Sequence, residues 1–286
     1  MEIILIYIIA ACASSVPGNI LVFKKMSMES DAVTHTVLPG IAVGFIITGD
    51  IYSPWLYIAA VVGSLLAALI SEKLRFSKYV KEDSAIGLVF PIFFAVGIIL
   101  VKAFCGGSEL NVDYILKGDV YAAVAQRMVV FGYDIGSQAV YLLGGILAAN
   151  LLFVVIFRRG LISAAVSEDF AKVTGIKTGL YNFATLVLTA VTAVAVFNFM
   201  GSVLSVALMI APAVTARCVC KNAYSGVIAA LLIAAADAVL GCVFAMLTGV
   251  YISGAVAVAC TVVFLLILAL QHLTKFVLRG IVKGVL

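Results

Sequence analysis

Charge is what this sequence has least of. Only 11% of its 286 residues are Asp, Glu, Lys or Arg, against 65% hydrophobic, and its mean hydropathy is +1.25. A soluble globular domain carries about 25% charged residues. Nowhere is a polar stretch long enough to build a separate soluble domain. The phosphate-binding pattern G-x-x-x-x-G-K-[ST] is missing, and "TGIKTG" lacks its spacing, so the chain cannot drive ATP hydrolysis itself. Histidine is scarce, with two in all, and no Ser stands on a nucleophile-elbow sequence, which argues against a hydrolase triad. There is no Arg array of the voltage-sensor kind, no internal repeat and no low-complexity segment. The N-terminus lacks the basic region and cleavage site of a signal peptide, so 3–23 reads as a retained span. The net charge of +4 comes from basic loops and implies no nucleic-acid partner. Six cysteines are scattered, mostly in apolar runs where Cys acts as a small hydrophobe. Cys218 and Cys220 form a C-x-C without the further ligands that a structural zinc needs.

What is present is a series of apolar segments, at 3–23, 32–49, 54–72, 85–104, 138–157, 180–199, 202–218, 225–247 and 251–271. Each approaches the roughly 20 residues that cross a bilayer as a helix. The expected fold is therefore all-α: one polytopic helical bundle over 1–286, with eight to nine transmembrane helices. Alternating the spans from Lys24 and Lys25 on the cytoplasmic side places fifteen of the eighteen Lys and Arg residues inside. Only Lys102, Lys117 and Arg127 fall outside. That asymmetry is the positive-inside signal and predicts an outer N-terminus and an inner C-terminus. The join at Asn198–Gly201 has hardly any loop, so one of the two runs meeting there is a candidate re-entrant or broken segment.

Two connections are long. The outer one, 105–137, is expected to hold a short amphipathic helix. The inner one contains "SEDFAKVTGIKTG". There Ser167 can cap a helix whose first turn carries Glu168 and Asp169, the placement the helix dipole favours. Phe170 and Val173 lie on a sparse apolar face, and Gly175 ends or bends the helix. Such a segment is either a docking surface or a lid on the membrane.

Three stretches can carry chemistry. In "DAVTHTVLPG", Asp31 and His35 stand four apart and so share one helix face. A carboxylate oxygen and a neutral imidazole nitrogen suit one divalent cation. Pro39 has no N–H and frees the carbonyl of His35, and Gly40 permits close helix approach or a further bend. The plainer alternative is a capping Asp, an interfacial His and an incidental kink. Asp237 lies in an apolar run with no other charge. It reads as a cation relay, a metal ligand, or a hydrogen-bonded Asp at a helix contact. In "FNFMGSVLSVALMIAPAVTAR", Asn198, Ser205 and Met209 are placed to line a path and Pro212 to break the helix. Small residues there also serve simple close packing.

Together these motifs resemble the membrane permease subunits of bacterial metal-ion ABC transporters. "VFKKMSMESDAVTHTVLPGIAVGF", "KEDSAIGLVFPIFFAVGIIL", "SEDFAKVTGIKTGLYN" and "MGSVLSVALMIAPAVTAR" carry the resemblance, which runs from about Ser14 to Leu270. It implies an importer of Mn²⁺, Zn²⁺ or Fe²⁺ in the cytoplasmic (inner) membrane. It further implies pairing with a second copy or paralogue, cytoplasmic ATP-binding subunits docked on about 163–179, and an extracellular solute-binding protein. Metal contacts fall on Asp31 and His35, and no permanently bound cofactor is expected. The chain departs from the family pattern at Asp237, usually small and apolar, and at Asn198, often Gln. The competing reading is a stand-alone secondary carrier that uses Asp237 and His35 as relays. In the expected topology Asp31 lies near the inner end of its span.

Overall fold

Nine helical segments among the described residues are long and apolar enough to cross a membrane. They belong to a computed structural model that describes residues 2–50, 53–75, 82–104, 118, 120–130, 133–166, 178–220 and 222–284. The helices are α1 (Glu2–Phe23), α2 (Ser27–His35), α3 (Val37–Thr48), α4 (Pro54–Arg75), α5 (Glu82–Phe104), α6 (Val120–Ala125), α7 (Gln138–Val166), α8 (Thr178–Met200), α9 (Ser202–Val219), α10 (Ala223–Thr248) and α11 (Ile252–Gly284). Between α6 and α7 lie β1 (Arg127–Val130) and β2 (Tyr133–Ser137), an antiparallel pair. The expected spans correspond to α1, α2–α3, α4, α5 and α7 to α11. While α7 and α11 run on past their expected ends to Val166 and Gly284, the largest shift among the helix starts is at the second span, which begins at Ser27 rather than 32. Ser27, Glu29, Ser30 and Asp31 make that first turn polar, so hydropathy underestimates where the helix starts.

Burial orders the helices from centre to edge. In α1 and α8, 67% of the apolar window is buried, against 17% in α7 and α11. Lipid supplies no hydrophobic drive between helices, so close packing and small residues decide which ones are central. On α1 these are Ala10, Ala11, Ala13, Ser14 and Gly18, all buried. A Cβ on Gly18 would lie 1.8 Å from the Met209 carbonyl oxygen, so α1 and α9 meet backbone to backbone. Gly40 does the same for α3 against α4, where a Cβ would lie 2.5 Å from the Ala59 carbonyl. One core cluster joins Ile6, Tyr7 and Ala10 of α1 to Leu204 and Leu208 of α9, Ala238 of α10 and Cys260 of α11. A second joins Val37 and Leu38 of α3 to Leu56 of α4 and Phe197 of α8. α8 therefore stands between the two halves of the bundle.

The helix ends follow from backbone geometry. Lys25 has φ 62, and Met26 N–H donates to the Leu21 carbonyl at 2.8 Å, closing α1. A non-glycine residue with positive φ is uncommon and marks a tight reversal. Between α8 and α9 the whole connection is Gly201, with φ 80 and ψ 171. Glycine alone takes that backbone without a Cβ penalty, so both runs there stay long enough to span. Pro212 does not break its helix, contrary to the sequence expectation: α9 runs on from Ser202 to Val219. One lost backbone bond inside a packed bundle leaves the rest of the ladder intact.

The 105–137 connection contains the expected short helix in α6, whose Val120 and Ala123 are buried while Tyr121 is exposed. The two-stranded hairpin beside it is an addition to the all-α expectation. Residues 105–117 lie outside the described ones. So do Ser167, Glu168, Asp169, Phe170, Val173 and Gly175, the candidate coupling residues.

Candidate functional site

The second span is two helices rather than one. α2 stops at His35, Thr36 stands between at φ −79 and ψ −1, and α3 begins at Val37. The interruption falls three residues before Pro39, where the missing N–H and the ring act on the preceding turn. Thr36 N–H still donates to the Ala32 carbonyl at 3.0 Å. Pro39 and Gly40 are themselves buried in the first turn of α3, with Gly40 against α4.

Asp31 and His35 come together as the spacing requires. Asp31 Oδ1 lies 3.4 Å from His35 Nε2. The side chains are 40% and 24% exposed respectively, so the pair is open on one side. The imidazole is framed by two rings of α5. Phe94 stands edge-on at a centroid distance of 5.3 Å, and Phe90 is tilted at 5.8 Å. His35 Nδ1 is buried without a hydrogen-bond partner among the described residues. One carboxylate and one imidazole are half a coordination shell. Among the described residues, no group of three or more His, Cys, Asp or Glu side chains could close around a metal ion. The pair can therefore hold a divalent cation loosely, with water or a second chain completing the shell.

The other candidates lie on α8, α9 and α10, and none of them is hydrogen-bonded to Asp31 or His35 among the described residues. Asn198 is exposed at the far end of α8, and its Nδ2 donates to the Tyr57 hydroxyl at 2.7 Å. Ser205 is buried on α9 with no hydrogen-bond partner among the described residues. Met209, one turn further on, is fully buried against Val33, Ala190 and Ala193. Asp237 is fully buried on α10, and neither of its oxygens meets a hydrogen-bond donor at bonding distance among the described residues. The group that faces it is the buried thiol of Cys260 on α11.

Sequence reasoning missed Phe90, Phe94, Tyr57 and Cys260. The two phenylalanines stand four apart in "FPIFF", the spacing of one helix face, and that was the available signal. Tyr57 and Cys260 meet their partners only through the tertiary fold.

The description "ABC 3 transport family" matches residues 1–271. The chain belongs to this family. The permease is 33% identical over 240 residues to the manganese transport system membrane protein MntD of Bacillus subtilis, covering 84% of this chain and 81% of that one. It is 30% identical over 267 residues to the zinc transport system membrane protein TroD of Treponema pallidum, covering 93% and 72%. Among solved structures, PsaBC from Streptococcus pneumoniae in complex with Fab matches with a TM-score of 0.77 at 27% identity. That match covers 93% of this chain and 89% of the other. An inward-facing putative metal-chelate type ABC transporter shares the fold at a TM-score of 0.62 and 17% identity. The permease is thus a multi-pass helical membrane protein of ABC transport.

Proposed function

We propose that this chain forms the translocation pathway of an ATP-driven importer of a divalent metal ion, Mn²⁺, Zn²⁺ or Fe²⁺. One observation carries the reading: a partly exposed carboxylate–imidazole pair on a short helix that is interrupted at Thr36 within the second candidate span, in a chain of the ABC 3 transport family. Oxygen and imidazole nitrogen without thiolate suit these three ions better than Cu(I). Several relatives are named for manganese and one for zinc, which supports the class and favours no single ion.

The open side of the pair fits a dimer. A second copy or paralogue across a two-fold axis would bring two Asp31–His35 pairs together and give up to four side-chain ligands. A partly water-completed shell suits passage, because a conducted ion must leave as well as bind. ATP hydrolysis belongs to a separate cytoplasmic subunit, docked on about 163–179 with Ser167, Glu168, Asp169, Phe170, Val173 and Gly175 at the contact. An extracellular solute-binding protein delivers the ion. Closure of the ATPases would rock the bundle and switch access from one side to the other. The charge tally supports a cytoplasmic-membrane location with the N-terminus outside and the C-terminus inside.

The test is uptake by the complex of this chain and its ATPase in proteoliposomes, with Mn²⁺, Zn²⁺ and Fe²⁺ in competition. ATP-dependent accumulation of one of them is the expected result. Uptake that proceeds without any ATPase would return the stand-alone carrier.

A further inference from the structure

The helix that bears Asp31 and His35 is bounded by a backbone irregularity at each end. At one end Lys25 takes φ 62, and at the other Thr36 separates α2 from α3. Between them α2 has only nine residues, too few to be stable alone. Its orientation therefore depends on what its ends and faces are tied to.

One face is tied to α8. Val33 packs with Ala190 and Ala193 of α8 and with Met209 of α9. The inner end is tied to the same helix by a polar contact. Lys24, the residue before the Lys25 reversal, donates from Nζ to Asn182 Oδ1 at 2.8 Å. Asn182 is 7% exposed and lies one turn beyond Thr178, where α8 begins. Two other polar residues on α8, Thr185 and Thr189, spend their hydroxyl protons on the carbonyls of Tyr181 and Thr185 in their own helix. Asn182 reaches across instead. A lysine that only anchors a helix end extends its ammonium to water or headgroups. Lys24 instead meets a buried amide, and a hydrogen bond to a charged group is about twice as strong as a neutral one.

We propose that Lys24 and Asn182 are positioning residues for transport, because their hydrogen bond fastens the hinge below Asp31 and His35 to the first turns of α8. α8 follows directly in the chain on the segment assigned above to ATPase coupling, and the proposal rests on that assignment. A displacement of that segment shifts the start of α8, and the Lys24–Asn182 contact carries the shift to the α1–α2 reversal. α2 then tilts between its two irregular ends and reorients the cation pair. Neither residue touches the cation, so the link governs the rate of the conformational step and leaves the affinity alone.

The test uses the permease with its ATP-binding subunit in proteoliposomes, normalised to co-purified complex, with Mn²⁺ as the probe. Lys24→Met and Asn182→Leu are each expected to lower Mn²⁺ uptake kcat by about tenfold or more, the scale of one hydrogen bond to a charge. KM for Mn²⁺ should stay unchanged and ATP hydrolysis should continue, so that ions moved per ATP falls. The double variant should be no worse than either single one, and Lys24→Arg and Asn182→Asp, which keep donor and acceptor, should retain coupling. An unchanged ion-to-ATP ratio, additive losses in the double variant, or a raised KM would overturn the link while leaving the importer reading in place. An unaltered chain that neither holds an ATPase nor moves Mn²⁺ overturns that reading and the link with it.

Discussion

Asp31 Oδ1 and His35 Nε2 face each other at 3.4 Å on the open side of α2. That separation is long for a hydrogen bond, and the buried Nδ1 gains no partner among the described residues. The pair is thus held by the helix and by the Phe90 and Phe94 rings rather than by its own attraction. Asp31→Ala and His35→Ala should each lower metal uptake by more than about tenfold, since loss of even an outer-shell partner costs a metal site that much. Both variants should still assemble with the ATPase, because the side chains are partly exposed and bear little of the packing. Radiometal uptake beside co-purification reads the two effects separately, and normal uptake by both variants removes the pair from the pathway.

Phe94 offers a milder change at the same place. Its ring stands edge-on to His35, and aromatic pairs of this geometry contribute roughly 0.5–1.5 kcal/mol beyond area burial. Phe94→Leu should keep the bundle folded while loosening the imidazole. The expected outcome is a several-fold rise in KM for the metal with a smaller change in kcat. A KM equal to that of the unaltered chain would show that the ring does not hold the ligand in place.

The coupling surface can be tested independently of the metal. Replacing Glu168, Asp169 and Phe170 together by Ala removes both the first-turn acids and the apolar residue proposed to meet the ATPase. The permease should then lose the ATPase on purification, or retain it without metal-dependent uptake. Full retention of both binding and uptake would move the docking surface elsewhere.

Most of the fold was legible because hydropathy in a membrane chain is close to a structural statement. Spans such as 85–104 and 138–157 are apolar, long and bounded by charge, and only a helix satisfies their backbone in lipid. The break at Thr36 was legible as well, since Pro39 acts on a predictable carbonyl. Pro212 shows the limit of the same rule: the local cost is identical, but α9 is held on several sides and continues. The polar contacts were not legible. Lys24 meets Asn182 across 158 residues and Asn198 meets Tyr57 across 141, and no local pattern encodes either. The β1–β2 hairpin was missed because nine residues of ordinary composition carry little signal beside strongly apolar neighbours.

The close approach of α1 to α9 yields a stability prediction. A Cβ at Gly18 would meet the Met209 carbonyl at 1.8 Å and its Cγ at 3.1 Å. The nearest atom is backbone, which cannot swing aside as a flexible side chain would. Gly18→Ala should therefore force the two central helices apart and destabilise the bundle by about 1–3 kcal/mol, the usual cost of overpacking. Thermal denaturation in detergent should show a clear drop in midpoint, with Gly144→Ala as control. A Cβ at Gly144 meets nothing within 4 Å, so that variant should melt as the unaltered chain does.

Asp237 offers a test of whether the path extends beyond the Asp31–His35 pair. It is fully buried, both oxygens lack a hydrogen-bond donor at bonding distance among the described residues, and the Cys260 thiol faces it. A relay residue must exchange its proton or cation with something, and here neither a basic side chain nor a third ligand stands beside it among the described residues. An isolated intramembrane carboxyl is costly, by at least about 2.5 kcal/mol on insertion scales. Asp237→Ala removes that cost and leaves a small void whose own cost opposes the gain. The two are of similar size, so the thermal midpoint should move little. Metal uptake should stay within about twofold of the unaltered chain, because the Asp31–His35 pair is untouched and a twofold change is under 0.5 kcal/mol on the barrier. Loss of uptake in a variant that still folds and still holds its ATPase would make Asp237 part of the path.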